Sequence, residues 1–390
     1  MHIVHVVESL DPANGGPSVS VPSLAAAQAS LGNRVAIVFY SGLDSEISMV
    51  DRHIPEFANV TLHAVNAGGI WEKLTAFSAS DTLLKVVPDA DIVHIHGIWG
   101  MMLLRAACVA KKLRIRYTVA PRGMLAPWSL RQKRIKKFLM WWVIWKRILD
   151  DSIFLHMLNK AEAELIVPLG LRCPIKIFPN GTFVESSING QQETDNLIRR
   201  VPELRTHPFV LFLSRLHYVK GLDFLLEAFA IVSKENPDAR LLIAGPDSGF
   251  GDEARRMIER YGIQSSVYMV GPLYGQAKSS ALALAKCFCL PSRQEGFSMA
   301  ILEALSAGLP VVITHSCHFP EVAEVGAGKT VDQSPKQIAE ALLTFLEDKE
   351  KHSVASKAGR QLVASRYQWR TIAEKTLHAY ALDYPSLSRE

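Results

Sequence analysis

The 390 residues carry a formal net charge of +5, with 48% apolar and 21% charged side chains, a balance that excludes disordered and collagen-like classes. No apolar run approaches the roughly 20 residues that span a bilayer. The five cysteines (Cys108, Cys173, Cys287, Cys289, Cys317) are odd in number and lack metal-ligand spacing, which points to a cytoplasmic chain without a disulfide framework.

The length exceeds one typical core and implies two domains of about 200 residues each. The opening residues Met1–Val7 have no basic leader region and read as a first strand. Further apolar runs predict strands at 35–40, 60–65, 92–95, 117–120, 153–157 and 175–178, with helices over 22–31, 71–86, 99–112 and 129–149. A polar stretch near residues 185–207 reads as a linker. A second alternating series follows, with strands at 209–213, 240–244, 267–270, 287–290 and 311–313 and helices ending with 335–347, 352–366 and 369–381. Strict alternation of strand and helix predicts parallel sheets covered on both faces. The expected fold class is α/β, two doubly wound Rossmann-like domains with ligand bound in a cleft between their carboxyl-end loops.

Charge is local. Residues 131–147 hold seven Lys or Arg and no acid, so removing that segment from the net +5 leaves −2. Its Lys133, Arg134, Lys136 and Lys137 run into Trp141, Trp142 and Trp145. That composition suits a helix lying in an anionic membrane interface, and equally a core helix with a solvated basic face. A lone basic patch without a recognised module does not point to nucleic acid.

Five stretches could carry chemistry. Gly15-Gly16 stand between the first strand and a helix, where the backbone can approach a phosphate, although such pairs also simply turn the chain. His94 and His96 share a strand face, with His96-Gly97 at the exit; His96 is the better candidate for a polar contact, and no third metal ligand is apparent nearby. Arg122, at the end of the next strand, either faces the ligand or ties down its loop. Arg215 closes a strand, and Lys220-Gly221 open a helix; two cations at a helix start suit a pyrophosphate. The most informative stretch is Ser292–Leu305. Strand, turn and helix meet there, with Gly296 permitting close approach, Ser298 as N-cap, and Glu295 and Glu303 flanking the turn. These carboxylates suit sugar or ribose hydroxyls; the alternative is a capped core helix with two solvated acids.

These residues resemble retaining glycosyltransferase family 4 of the GT-B fold, in particular its bacterial polysaccharide-assembly members. The marks are Gly15-Gly16, His94–Gly97, Pro179-Asn180-Gly181, Arg215 with Lys220, Ala244-Gly245, and Glu295-x7-Glu303 followed by Gly308-Leu309-Pro310. The resemblance covers nearly the whole chain. It implies an acceptor-side domain at 1–190, a linker at 191–207, a nucleotide-sugar domain at 208–366, and a final helix at 367–390 packing back on the first domain. It implies catalytic roles for His96, Arg215, Lys220 and Glu295. Donor contacts would come from Gly15, Gly16, Arg122, Arg215, Lys220, Leu273, Glu295, Gly296, Phe297, Ser298 and Glu303, with Glu303 on the ribose. The family often has glycine where Ser298 stands. The implied activity is retaining, metal-independent transfer of a hexose from a UDP-sugar such as UDP-glucose to a lipid-linked or oligosaccharide acceptor. No cofactor is implied, and the expected location is cytoplasmic, at the inner face of the cell membrane. A UDP-sugar 2-epimerase of the same architecture and a non-catalytic nucleotide-sugar-binding membrane scaffold are the alternatives.

Overall fold

Among the described residues, apolar runs rich in Val, Ile and Leu form thirteen parallel strands in two sheets. The computed structural model describes residues 1–11, 15–41, 54–126, 129–130, 140–183 and 197–382. The chain divides into a first unit, Met1–Gly181 with Trp369–Glu390, and a second, Thr182–Gln368.

In the first unit, β1 (His2–Val7), β2 (Arg34–Ser41), β3 (Val60–Asn66), β4 (Ile92–His96), β5 (Arg116–Ala120), β6 (Leu155–Met157) and β7 (Ile175–Ile177) lie in the order β3-β2-β1-β4-β5-β6-β7. All six residues of β1 and all five of β4 are buried, as continuous apolar strands covered on both faces should be. The helices are α1 (Pro17–Ser30), α2 (Ile70–Thr75), α3 (Phe77–Val86), α4 (Met101–Lys112), α5 (Lys146–Asp150) and α6 (Lys160–Ile166). Two differ from the sequence expectation. Pro17 opens α1 near its first position, so Pro22 sits inside the helix instead of starting it. The expected single helix over 71–86 is broken at Ala76, whose φ of 49° lies in the left-handed region.

In the second unit, β8 (Phe209–Leu213), β9 (Arg240–Ala244), β10 (Val267–Gly271), β11 (Cys287–Leu290), β12 (Val311–Thr314) and β13 (Gly328–Val331) lie in the order β10-β9-β8-β11-β12-β13. Their helices are α7 (Leu222–Glu235), α8 (Gly251–Tyr261), α9 (Gly275–Leu284), α10 (Met299–Ala307), α11 (Glu321–Glu324), α12 (Pro335–Glu347) and α13 (Lys349–Arg366). The stretch read as a linker contributes to this core: Leu197, Ile198, Val201 and Leu204 are buried in it, because its polar residues are followed by an apolar helical turn. The last helix, α14 (Trp369–Leu382), belongs to the first unit and packs on α1.

Strand order reverses direction between β1 and β4 in one sheet and between β8 and β11 in the other. Loops at the carboxyl ends of such strand pairs form the binding crevice of open α/β sheets. Every stretch singled out above except the basic segment, Pro179–Gly181 and Leu273 lies at the end of, or follows, one of these four strands or a neighbour.

Candidate active site

In the second unit the loops after β8 and β11 are locked together. Gly221 has a φ of 69°, and a Cβ there would fall 1.9 Å from the carbonyl oxygen of Pro291, so only glycine lets the two loops touch. Arg293 completes the clamp. Its guanidinium donates to both carboxylate oxygens of Asp223, at 2.7 and 2.5 Å, and to the Tyr218 carbonyl at 2.8 Å. The same group stacks 3.7 Å from the Tyr218 ring centroid and 4.1 Å from that of Phe224.

The clamp sets two ion pairs. Lys220 Nζ donates to Glu295 Oε1 at 2.6 Å, and Ser292 Oγ donates to the same oxygen at 2.8 Å. Lys278 Nζ, from α9, donates to Glu303 Oε1 at 2.7 Å. The side chains are 16% and 8% exposed in the first pair and 28% and 18% in the second. Arg215 is exposed just past β8. Between the two glutamates, Ser298 occupies the N-cap position of α10, but its side chain makes no capping hydrogen bond. Phe297 is pinned within an aromatic trio, with ring centroids 5.1 Å from Phe319 and 5.7 Å from Tyr367.

The first unit presents a different arrangement. Four buried histidines, His5, His94, His96 and His156, meet at the carboxyl side of its sheet. Their hydrogen bonds assign each tautomer. Arg122 Nη2 donates to His96 Nδ1 at 3.0 Å, so His96 Nε2–H donates to His5 Nδ1 at 2.8 Å, and His5 Nε2–H to Gln28 Oε1 at 2.8 Å. Gln28 Nε2 donates to Thr376 Oγ1 at 3.0 Å and to Tyr380 Oη at 3.4 Å. The Tyr380 hydroxyl donates to His94 Nδ1 at 2.7 Å, His94 Nε2–H to His156 Nδ1 at 3.2 Å, and His156 Nε2–H to the Phe178 carbonyl at 2.7 Å. The result is one directional relay in which every imidazole uses its single donor and single acceptor. Burial, helped by the Arg122 charge, lowers His5 to about 4 and His156 to about 3, and holds His94 and His96 well below the ordinary range, so all four are neutral at pH 7.

His5, His94 and His96 stand close enough to hold a metal ion, so the third imidazole not apparent in the sequence does exist. Metal binding there would first have to break the relay, beside a cationic Arg122. That arginine, lowered to about 10 chiefly by burial, also donates from Nη1 to Asn180 Oδ1 at 3.1 Å. Its loop is held by Glu162, which accepts from the backbone N–H of Gly123 at 2.6 Å and of Leu158 at 2.7 Å.

Residues 15–181 match a family model described as "Glycosyl transferase 4-like domain", and residues 194–362 one described as "Glycosyl transferases group 1". The chain belongs to glycosyltransferase family 4. Among curated relatives of this chain, the phosphatidylinositol N-acetylglucosaminyltransferase gpi3 subunit of Schizosaccharomyces pombe is 27% identical over 44% of the chain and 37% of its own length. Others are matched over 51% and 48% of theirs, so the chain spans about half or less of the length of these relatives. The GDP-mannose:cellobiosyl-diphosphopolyprenol alpha-mannosyltransferase of Xanthomonas oryzae pv. oryzae is 25% identical over 97% of the chain and 96% of its length. The crystal structure of Anabaena Alr3699/HepE in complex with UDP and glucose superposes with a TM-score of 0.79 at 17% identity, covering 98% of this chain and 100% of that one. At that identity the likeness concerns the fold, which is GT-B.

The structure brings Lys220, Glu295, Gly296, Phe297, Ser298 and Glu303 to one end of the second sheet, with Arg215 at the same end. Glycine separates packing from access. Gly221 and Gly245 are pressed against backbone, whereas a Cβ on Gly16 or Gly296 would meet nothing within 4 Å among the described residues. Open space is what a ligand-approach position requires. Gly15 has a φ of 103°, in the region glycine favours, just before α1. Leu273 is 5% exposed and packs in the second core. His96, expected to touch the sugar, is 3% exposed with both ring nitrogens bonded, so as folded it holds Arg122. Of its two readings, Arg122 shows the second: it ties its loop to Asn180 and His96. Sequence reasoning missed Lys278, Arg293, His5, His156 and Glu162. Only Glu162 carried a local signal, the Asn159-x-x-Glu162 pattern of a capped helix start, and Asn159 Oδ1 does accept from Glu162 N at 2.7 Å.

The membrane expectation changes for two residues. Trp145 is fully buried and Trp141 is 8% exposed, both in the first core, because the turn carrying them packs inward beside Trp99. Lys133, Arg134, Lys136 and Lys137, and the Trp142 side chain, lie outside the described residues. No helix among the described residues is long and apolar enough to cross a membrane.

Proposed function

We propose that this chain transfers a hexose from a nucleoside diphosphate sugar to a lipid-linked saccharide, with retained anomeric configuration and without a metal ion. The observation that carries the reading is the pair of lysine–glutamate bridges on either side of the α10 start, beside the open face of Gly296. Lys220 has three N–H donors and spends one on Glu295. The others, with Arg215 and the first-turn amides of α10, suit a diphosphate. Glu303 suits ribose hydroxyls and Glu295 sugar hydroxyls, since each carboxylate accepts but cannot donate. Relatives named for phosphatidylinositol and polyprenol-linked acceptors, and fold neighbours crystallised with UDP, support the substrate classes.

In the proposed step the bond from the anomeric carbon to the donor phosphate oxygen breaks, and its electron pair leaves with the nucleotide. The acceptor oxygen bonds to the same face of that carbon, and its proton passes to the departing phosphate. Lys220 and Arg215 stabilise the charge that develops there. In the first unit Glu162 is committed to two backbone amides, which does not suit a nucleophile. Attachment at the cytoplasmic face of the membrane follows from a lipid-linked acceptor and a soluble donor.

UDP-glucose or a related UDP-sugar is the preferred donor. GDP-mannose is the second reading, because the relative matched over 97% of the chain is named for it. A thermal-shift screen of UDP-glucose, UDP-galactose, UDP-N-acetylglucosamine and GDP-mannose, followed by nucleotide release without acceptor, decides between them. A shift and release with a UDP-sugar, unaffected by EDTA, is expected. Response to GDP-mannose alone replaces the donor; loss of release in EDTA, restored by magnesium, overturns metal independence. Silence with every nucleotide sugar overturns the transferase reading.

A further inference from the structure

The first unit carries an apolar ridge that its core does not use. Ile70, Trp71 and Leu74 on α2 and Phe77 at the start of α3 are 70%, 76%, 53% and 71% exposed. Ile70 and Leu74 lie one turn apart on α2 with Trp71 beside Ile70, and Phe77 opens α3 just past the left-handed corner at Ala76. Scattered exposed apolar residues are normal on a folded chain, but four large ones within eight positions form a contiguous patch.

The ridge is built, not frayed. Glu72, between Trp71 and Lys73, is 7% exposed and turned inward. Its Oε2 accepts from Ser78 N at 2.9 Å, and its Oε1 accepts from Ala79 N at 3.1 Å and from the Tyr40 hydroxyl at 3.2 Å. One buried carboxylate therefore caps α3 and ties α2 to β2. The left-handed Ala76 is fully buried at the corner. Arg105, exposed on α4, donates from Nε to the Thr75 carbonyl at 3.2 Å and closes the end of α2. The device that fixes the corner also removes the only acid of α2 from its surface, leaving exposed Lys73 and Arg105 at the rim.

We propose that the Ile70–Phe77 ridge is the surface by which this chain docks on an anionic lipid bilayer. The composition decides the occupant. A tryptophan beside aliphatic side chains, with Lys73 and Arg105 exposed and the acid of α2 buried, matches the boundary between acyl chains and negative headgroups, and Asp81, one turn beyond Phe77 on α3, is the exposed acid on that helix. The inference rests on the proposed lipid-linked acceptor, which stays at the bilayer. It also places the contact away from Trp141 and Trp145, which the core consumes.

The test is flotation of the full chain with vesicles of phosphatidylcholine, with and without phosphatidylglycerol. The variants are Trp71→Ser, the triple variant Trp71→Ser/Leu74→Ser/Phe77→Ser, and Lys73→Glu/Arg105→Glu. Wild type is expected to float with the anionic vesicles. The triple variant should partition at least about tenfold less, and the charge variant should lose the preference for phosphatidylglycerol. Melting temperatures near wild type would show that the variants fold; Trp71→Ser alone serves if the triple variant does not. Wild-type failure to float, or triple-variant flotation equal to wild type, overturns the proposal. So does concentration-dependent dimerisation that the triple variant abolishes, because the ridge would then pair copies of the chain. Nucleotide release from the donor, measured on the same samples, separates the two readings. Lost flotation with normal release supports the ridge, whereas absent release in a wild-type sample that floats strikes only the transferase reading.

Discussion

The two sheets place polar residues at equivalent ends and treat them in opposite ways. In the first unit, four imidazoles, a glutamine and a tyrosine form one directional run of hydrogen bonds from Arg122 to the Phe178 carbonyl. In the second, Lys220 pairs with Glu295 and Lys278 with Glu303, and the pairs are partly open to water. The first arrangement spends both nitrogens of every imidazole on itself, and the buried Nε of Arg122 is left as an unspent donor among these groups. The second can exchange a partner, because a lysine holding one carboxylate still has donors to give. Rigidity and exchangeability are thus assigned to different halves of one repeated architecture.

Acid should separate them most strongly. The relay histidines have folded pKa values below their unfolded values near 6.5. The unfolded chain therefore takes up protons first as pH falls, and the stability they contribute is complete above about pH 6.5. It is lost progressively toward about 4 for His5 and about 3 for His156. Each contributes a slope of about 1.4 kcal/mol per pH unit, about 5 for the four together at most. Urea unfolding at pH 7, 6 and 5 should show a steep fall; a flat profile would mean the relay is not neutral. Lys220→Ala comes next. It should lower kcat by about 10²–10³-fold while the protein still melts cooperatively, and near-normal turnover would remove Lys220 from the reaction. Tyr380→Phe should do the reverse, losing about 1–3 kcal/mol of stability by leaving His94 Nδ1 without its donor. Its donor KM should be unchanged; a raised KM would place the relay in the donor site. The smallest effect is expected from Glu303→Gln, about a tenfold rise in donor KM at near-normal kcat.

The contrast also explains what was legible in the sequence. Strands such as Phe209–Leu213 announce themselves as short apolar runs, because burial on both faces needs nothing else. The strand Gly328–Val331 did not, being four residues long with a lysine and a glycine in it. Glu295, Glu303, Lys220 and Arg215 stood out because glycine and helix starts mark them locally. Lys278 and Arg293 find their partners 25 and 70 residues away, a pairing decided only when the sheet assembles. The relay was invisible for the same reason: His5, Gln28, His94, His156 and Tyr380 come from five elements or their edges, and each alone resembles a lone polar residue in a core.

Helix α14 adds a matter of timing. The chain leaves the first unit at Gly181, where a Cβ would lie 2.9 Å from Trp369, and re-enters at that same tryptophan. All of Thr182–Gln368 is made in between. At about 5–20 residues per second, a ribosome needs on the order of 10–40 s to cross that span. Throughout it α1 lacks the helix that packs on it, and Gln28 and His94 wait for Thr376 and Tyr380. The half of the protein that is begun first is therefore finished last, and its unpaired polar edge is what a chaperone or protease would meet on the nascent chain.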